Sequence, residues 1–123
     1  MRRARGAVVI LSSAVQAYVC AEPIDMRKNI DGLACLVRPL LGMDAFSGQV
    51  FVFVGKRRNK VKLLVWDRHG FWLLYKRLEG GRFPPPAALA ARGLSIAELT
   101  AWLEGIDVTR VRRLRAIAAT RVA

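Results

Sequence analysis

Between Phe51 and Phe83 the chain runs FVFVGKRRNKVKLLVWDRHGFWLLYKRLEGGRF, and this stretch leaves few folds open. It reads as an apolar strand, a basic turn, an aromatic strand, a tight turn, a second aromatic strand and a basic exit. β-branched and aromatic runs between turn residues are strand signals. From Gln49 to Val54 there is no polar alternation after Gln49, the mark of a strand buried on both faces and therefore central. Val61 to Asp67 and Phe71 to Arg77 pair as a hairpin through Asp67-Arg68-His69-Gly70. A three-residue loop with Gly70 left-handed sets Trp66 opposite Trp72, Leu64 opposite Leu74 and Lys62 opposite Lys76. Like charges directly opposite are unfavourable, so this register puts the Lys62/Lys76 pair at an exposed end.

The flanking segments add helices. Val15 to Cys20 alternates in part and predicts a strand, ended by Glu22-Pro23. Asp25 is placed to cap a helix whose Met26, Ile30, Leu33, Ala34, Val37, Leu40 and Leu41 share one side. Pro39 lacks a backbone donor and should kink or end that helix near Arg38. Gly80-Gly81 and Pro84-Pro85-Pro86 mark an irregular connector. Ser95-Ile96-Ala97-Glu98 is a capping box, with Leu94 and Leu99 spaced as a hydrophobic staple. Leu99, Trp102, Leu103 and Ile106 form the apolar stripe of the second helix, and Gly105 stops it. The expected architecture is α+β: an antiparallel sheet containing a three-stranded meander, with two helices packed on one face. Residues 1–12 read as a basic arm, 13–107 as a single domain and 108–123 as a basic tail.

Charge narrows the partners. The 123 residues carry 21 Lys and Arg against 9 Asp and Glu, a net +12, which favours anionic partners without specifying a fold. Five of the seven residues from Lys56 to Lys62 are basic and none is acidic. A basic block on a sheet loop points to a polyanion, of which nucleic acid is the commonest. The candidate DNA contacts are Lys56, Arg57, Arg58, Lys60, Lys62, Arg68, Lys76, Arg77, Arg82, Arg110, Arg112 and Arg113. The aromatics Trp66, Phe71, Trp72 and Tyr75 read first as core and second as stacking platforms.

Other chemistries find less support. Cys20, Cys35 and His69 are too few for a structural zinc site, and a disulfide between the two cysteines is open but not demanded by spacing. His69 stands alone on a turn without a Ser/Asp pattern. Asp25, Asp31 and Asp44 could hold magnesium for phosphoryl chemistry, but Asp25 is better read as a cap and Asp31 as a helix-surface charge. Arg2, Arg3 and Arg5 before the apolar Ala7–Leu11 loosely imitate a secretory signal. That run is short and broken by Ser12 and Ser13, and nothing reaches the length of a membrane span. The expectation from these residues is a cytoplasmic protein without cofactor or metal.

An ordered series of short motifs then carries a family resemblance. Asp25-Met26-Arg27-Lys28, Asp31-Gly32-Leu33, Phe46-Ser47-Gly48, Val52-Phe53 and Lys62-Leu63-Leu64-Val65-Trp66-Asp67 come first. Gly70-Phe71, Tyr75-Lys76-Arg77-Leu78-Glu79, Gly81-Arg82-Phe83 and Leu103-Glu104-Gly105-Ile106-Asp107 follow. From Ala14 to Asp107 the chain resembles the TnpB accessory proteins, the second open reading frame of the insertion-sequence-sixty-six class of bacterial transposable elements. The resemblance implies a non-enzymatic role in transposition beside a separate DDE-type transposase, with no catalytic residues to carry over. Two readings follow. One is an accessory factor that binds DNA, at transposon ends or target, through phosphates at the basic loop and tail. The other is a protein–protein adaptor docking on the transposase or another element-encoded protein through exposed aromatics and the Pro84–Pro86 connector.

Overall fold

The most apolar strand organises the sheet. In the computed structural model, which describes residues 14–90 and 92–110, strand β2 (Val50–Val54) is buried along its whole length. Its alternating side chains feed two cores. Phe51 and Phe53 point to one face, and Val50, Val52 and Val54 to the other. Each phenylalanine so buried contributes roughly 1.5–3 kcal/mol.

Strands β1 (Ala17–Val19), β3 (Lys60–Asp67), β4 (Gly70–Arg77) and β5 (Gly93–Leu94) complete a five-stranded sheet in the order β4-β3-β2-β1-β5. β2 pairs antiparallel with β3, and β3 with β4. β1, however, runs parallel to β2, with Ala17 opposite Val50 and Val19 opposite Val52. The sheet is therefore mixed rather than antiparallel. The physical reason is the connection: 30 residues and a helix separate β1 from β2, and parallel neighbours need such a crossover. β5, absent from the sequence expectation, adds two residues antiparallel to β1 at the far edge.

The two helices lie on opposite faces, not one. α1 (Ile30–Leu36) buries Leu33 against Phe51, Phe53 and Leu64. α2 (Ile96–Leu103) buries Leu99 and Trp102 in the cluster of Val50, Val52, Val54, Val61 and Val65. Trp102 also stacks on Phe83 with ring centroids 5.2 Å apart. Two covered faces are what an unbroken apolar β2 requires.

Local sequence rules hold unevenly. Asp25 does not cap α1; its Oδ1 accepts the Arg27 N–H at 2.9 Å, ahead of the helix. The N-cap position falls on Asn29. At Pro39 the helix widens into a π-helical turn, Val37–Leu41, before Gly42 ends it at φ 66°. At α2 the capping box forms: Ser95 Oγ accepts the Glu98 N–H at 3.1 Å, and Glu98 Oε1 accepts the Ser95 N–H at 2.9 Å. After Leu103, Gly105 adopts φ 93°, and the N–H groups of Ile106 and Gly105 donate back to Ala101 and Trp102. This Schellman closure turns the chain, so Ile106 leaves the apolar stripe and is exposed, while Val108 is buried.

The hairpin register is one residue away from the expected one. Asp67 pairs with Gly70 around a two-residue Arg68-His69 loop, and Arg68, not Gly70, is left-handed at φ 55°. A one-residue slip exchanges every facing pair. Trp66 now faces Phe71, Leu64 faces Leu73, Val65 faces Trp72 and Val61 faces Lys76. Lys62 faces Tyr75, and the expected Lys62/Lys76 repulsion does not exist.

Candidate nucleic-acid interface

The turn from β2 to β3 concentrates cations because its backbone is used up in holding the fold. Gly55 N–H donates to Lys60 O at 3.0 Å, and Arg58 N–H to Gly55 O at 2.9 Å, with Arg58 left-handed at φ 58°. The strap after β4 docks on the turn's carbonyls. Leu78 N–H donates to Asn59 O and Phe83 N–H to Arg58 O, both at 2.7 Å. With the main chain paired, the long basic side chains are what the turn presents to solvent. Lys56 and Arg57 are exposed, and Arg58 and Lys60 half-buried.

The strap and strand ends extend this surface. Arg77 is the ladder partner of Lys60, Lys76 lies one residue further in, and Arg82 sits next to Phe83, whose N–H reaches Arg58. Arg27 joins from the other side. The chain after β1 runs beside β2, with Cys20 N–H to Val52 O and Ile24 N–H to Val54 O, each 2.9 Å. That course brings Asp25 and Arg27 against the turn. An open depression of about 280 Å³ is lined by Arg27, Lys56, Arg57 and Lys60 together with Asp25 and Asn59. Nothing in the local sequence marks Arg27 for this place. Its signal is the parallel β1–β2 pairing, which only the fold supplies.

Two carboxylates temper the charge. Asp25 meets the Arg27 guanidinium at 2.8 Å, and these hydrogen bonds hold its carboxyl far below the ordinary carboxylate range. Glu79 accepts from Arg77 Nε at 2.9 Å. Both pairs are exposed, where ion pairs are weak and screened over about 8–10 Å. Lys56, Arg57, Arg58, Lys60 and Arg82 have no ion-pair partner among the described residues. The end of the sheet is thus a cationic surface suited to phosphodiester groups.

The remaining candidates fall elsewhere. Lys62 is only 6% exposed; its Nζ donates to Lys28 O at 2.7 Å and Asn29 Oδ1 at 3.2 Å and lies 5.2 Å from the Tyr75 ring centre. Its ammonium is committed to joining β3 to the start of α1, so it is not a surface phosphate contact. Arg68 follows Asp67 at the opposite end of β3, a strand that spans seven residue steps or about 23 Å from Lys60. Arg110 pairs with Asp107 at 3.4 Å beyond α2. Arg112 and Arg113, the tail from 111 and the arm of residues 1–12 lie outside the described residues.

The other sequence candidates are dispersed. Asp25 is paired with Arg27, Asp44 accepts the Phe46 N–H at 3.0 Å, and Asp31 is exposed in the first turn of α1. Among the described residues no three His, Cys, Asp or Glu side chains come together as metal ligands. Cys20 is buried and Cys35 exposed, and both are free thiols. Burial pushes the Cys20 thiol up. His69 is exposed in the β3–β4 turn. No helix among the described residues is long and apolar enough to cross a membrane.

Comparison with known proteins adds to this geometry. A family model described as IS66 Orf2 like protein matches residues 15–113. Two proteins of Sinorhizobium fredii (strain NBRC 101917 / NGR234) are similar over most of their length. The one named uncharacterized protein y4jC is 35% identical over 113 residues, 91% of this chain and 97% of its own. The one named uncharacterized protein y4hO is 35% identical over 94 residues, 76% of this chain and 82% of its own. No solved structure matches the chain.

Proposed function

This chain belongs to the IS66 Orf2-like family, and from that premise we propose that it is a non-catalytic accessory protein of transposition that binds DNA through phosphates. The observation that carries the DNA reading is the gathering of Lys56, Arg57, Arg58, Lys60, Arg77 and Arg82, joined by Arg27, at one end of the sheet. Contacts from such side chains to phosphates position a duplex without reading its bases. The protein then acts beside the DDE-type transposase, on transposon ends or target, in the bacterial cytoplasm at the nucleoid.

Binding of the full chain to the element's terminal-repeat duplex and to a scrambled duplex, titrated with salt, tests this. With about six phosphates neutralised, the log–log slope is expected near −5 on both duplexes. Absence of binding at low salt would overturn the proposal. A strong preference for the terminal repeat would replace phosphate contact with base readout.

A second reading, docking on the transposase, draws on Phe46. It is 59% exposed and packs on Trp66 and Phe71 at the end of the sheet away from the basic turn. Loss of transposase co-purification on Phe46→Asp, with retention on Arg57→Glu, would favour that reading.

A further inference from the structure

Strand β4 is the outer edge of the sheet, and its free side is unusually usable. Leu78 N–H donates to Asn59 O across the β3–β4 ladder. With the alternation of an antiparallel ladder, Trp72, Leu74 and Lys76 direct their N–H and C=O groups to β3. Phe71, Leu73, Tyr75 and Arg77 then direct theirs outward. Eight consecutive residues form this edge without a proline; Phe71 and Leu73 are half-buried and the other six residues are exposed. Trp72 is 51% and Tyr75 54% exposed, and Leu74 is exposed beside them. Long apolar edges of this kind are templates for another strand.

We propose that this edge is the interface of a two-fold dimer in which β4 of one copy pairs antiparallel with β4 of a second. The hydrogen-bonding phase restricts the register, because outward-facing residues must meet outward-facing residues. A two-fold at Leu73 satisfies it, setting Phe71 opposite the partner's Tyr75 and Trp72 opposite the partner's Leu74. Every central cross-strand pair is then aromatic or aliphatic, the kind that stabilises sheets. The partner's Trp72, beside Leu74, meets a mainly apolar depression of about 210 Å³ lined by Val61, Leu63, Leu74, Tyr75, Lys76 and Leu103.

Charge identifies the second copy as the occupant. In this register the partner's Lys76 lies opposite Gly70, which has no side chain and whose ladder neighbour is Asp67. Asp67 Oδ2 accepts the Trp72 Nε1–H at 3.2 Å, while its Oδ1 is buried and accepts no hydrogen bond, with Arg68 Nε 3.6 Å away. Across the glycine, the partner's Lys76 supplies the missing donor, and the two-fold supplies it twice. An isologous surface that answers its own half-satisfied carboxylate fits a closed pair. This inference does not rest on DNA binding.

Sedimentation equilibrium of the full chain at about 0.15 M salt, without DNA, tests it. The expected result is a monomer–dimer equilibrium. Tyr75→Pro removes an outward N–H and keeps the β3 ladder, since proline is tolerated on a free edge. It should weaken the dimer at least about tenfold with an unchanged circular dichroism spectrum. Lys76→Glu, an exposed position, should weaken it comparably and carries the test should Tyr75→Pro not fold. A monomer at every concentration overturns the proposal, including one whose β4 edge takes up the transposase instead. So does a dimer indifferent to both substitutions.

Discussion

A buried lysine needs acceptors, and Lys62 has two oxygens and an aromatic face. The carbonyl of Lys28 and the side-chain oxygen of Asn29 both lie where α1 begins, so the ammonium holds the helix start to β3. Lys62→Met keeps most of the volume but leaves both oxygens without this donor. It should cost about 1–3 kcal/mol, read as a lower denaturation midpoint in urea. Affinity for DNA should stay within about twofold, because this cation is not at the phosphate surface. A large loss of affinity with unchanged stability would return Lys62 to the interface. In sequence, Lys62 cannot be distinguished from Lys60. Both sit in the same basic run and, two residues apart, on the same face of β3; only the start of α1, which brings the Lys28 carbonyl and Asn29 over Lys62, buries one and leaves the other at the rim.

At the scale of elements, α2 is the case in which local sequence was sufficient. Ser95 and Glu98 satisfy each other's backbone N–H groups, and Gly105 closes the other end. Ser95→Ala should destabilise the protein by about 1 kcal/mol, and Ser95→Asp should recover most of it, measured by thermal or urea unfolding. The central place of β2 was legible for a similar reason, since its unbroken apolar run admits no solvated face. Its implication for the helices was also present in that run, because a strand covered on both sides needs an element on each. What the chain order did not reveal was long-range. The direction of β1, the existence of β5 and the position of Arg27 depend on crossovers whose ends carry no local mark. The hairpin register depended on which of four turn residues became left-handed. Glycine is the usual choice, yet Arg68 takes the role because Asp67 and Gly70 pair.

For the whole molecule, the distribution of charge matters more than its total. The net +12 is spread over the chain, but Lys56, Arg57, Arg58, Lys60 and Arg82, which have no carboxylate partner among the described residues, collect at the β2–β3 end. Position should therefore govern the response to mutation. Arg57→Glu with Arg58→Glu should lower affinity for any duplex by at least about tenfold and flatten its salt slope by about two. Arg68→Glu, the same change of charge at the other end of β3, should do much less; equal effects would mean that only net charge counts. The two borders of the sheet are just as unequal. One is the eight-residue β4, the other the two-residue β5. A sheet that can bond along one border only has a valence of one. Strand addition then stops at a pair and cannot propagate into a fibre, so an apolar border that would be an aggregation hazard in a symmetric sheet is capped by its own first use.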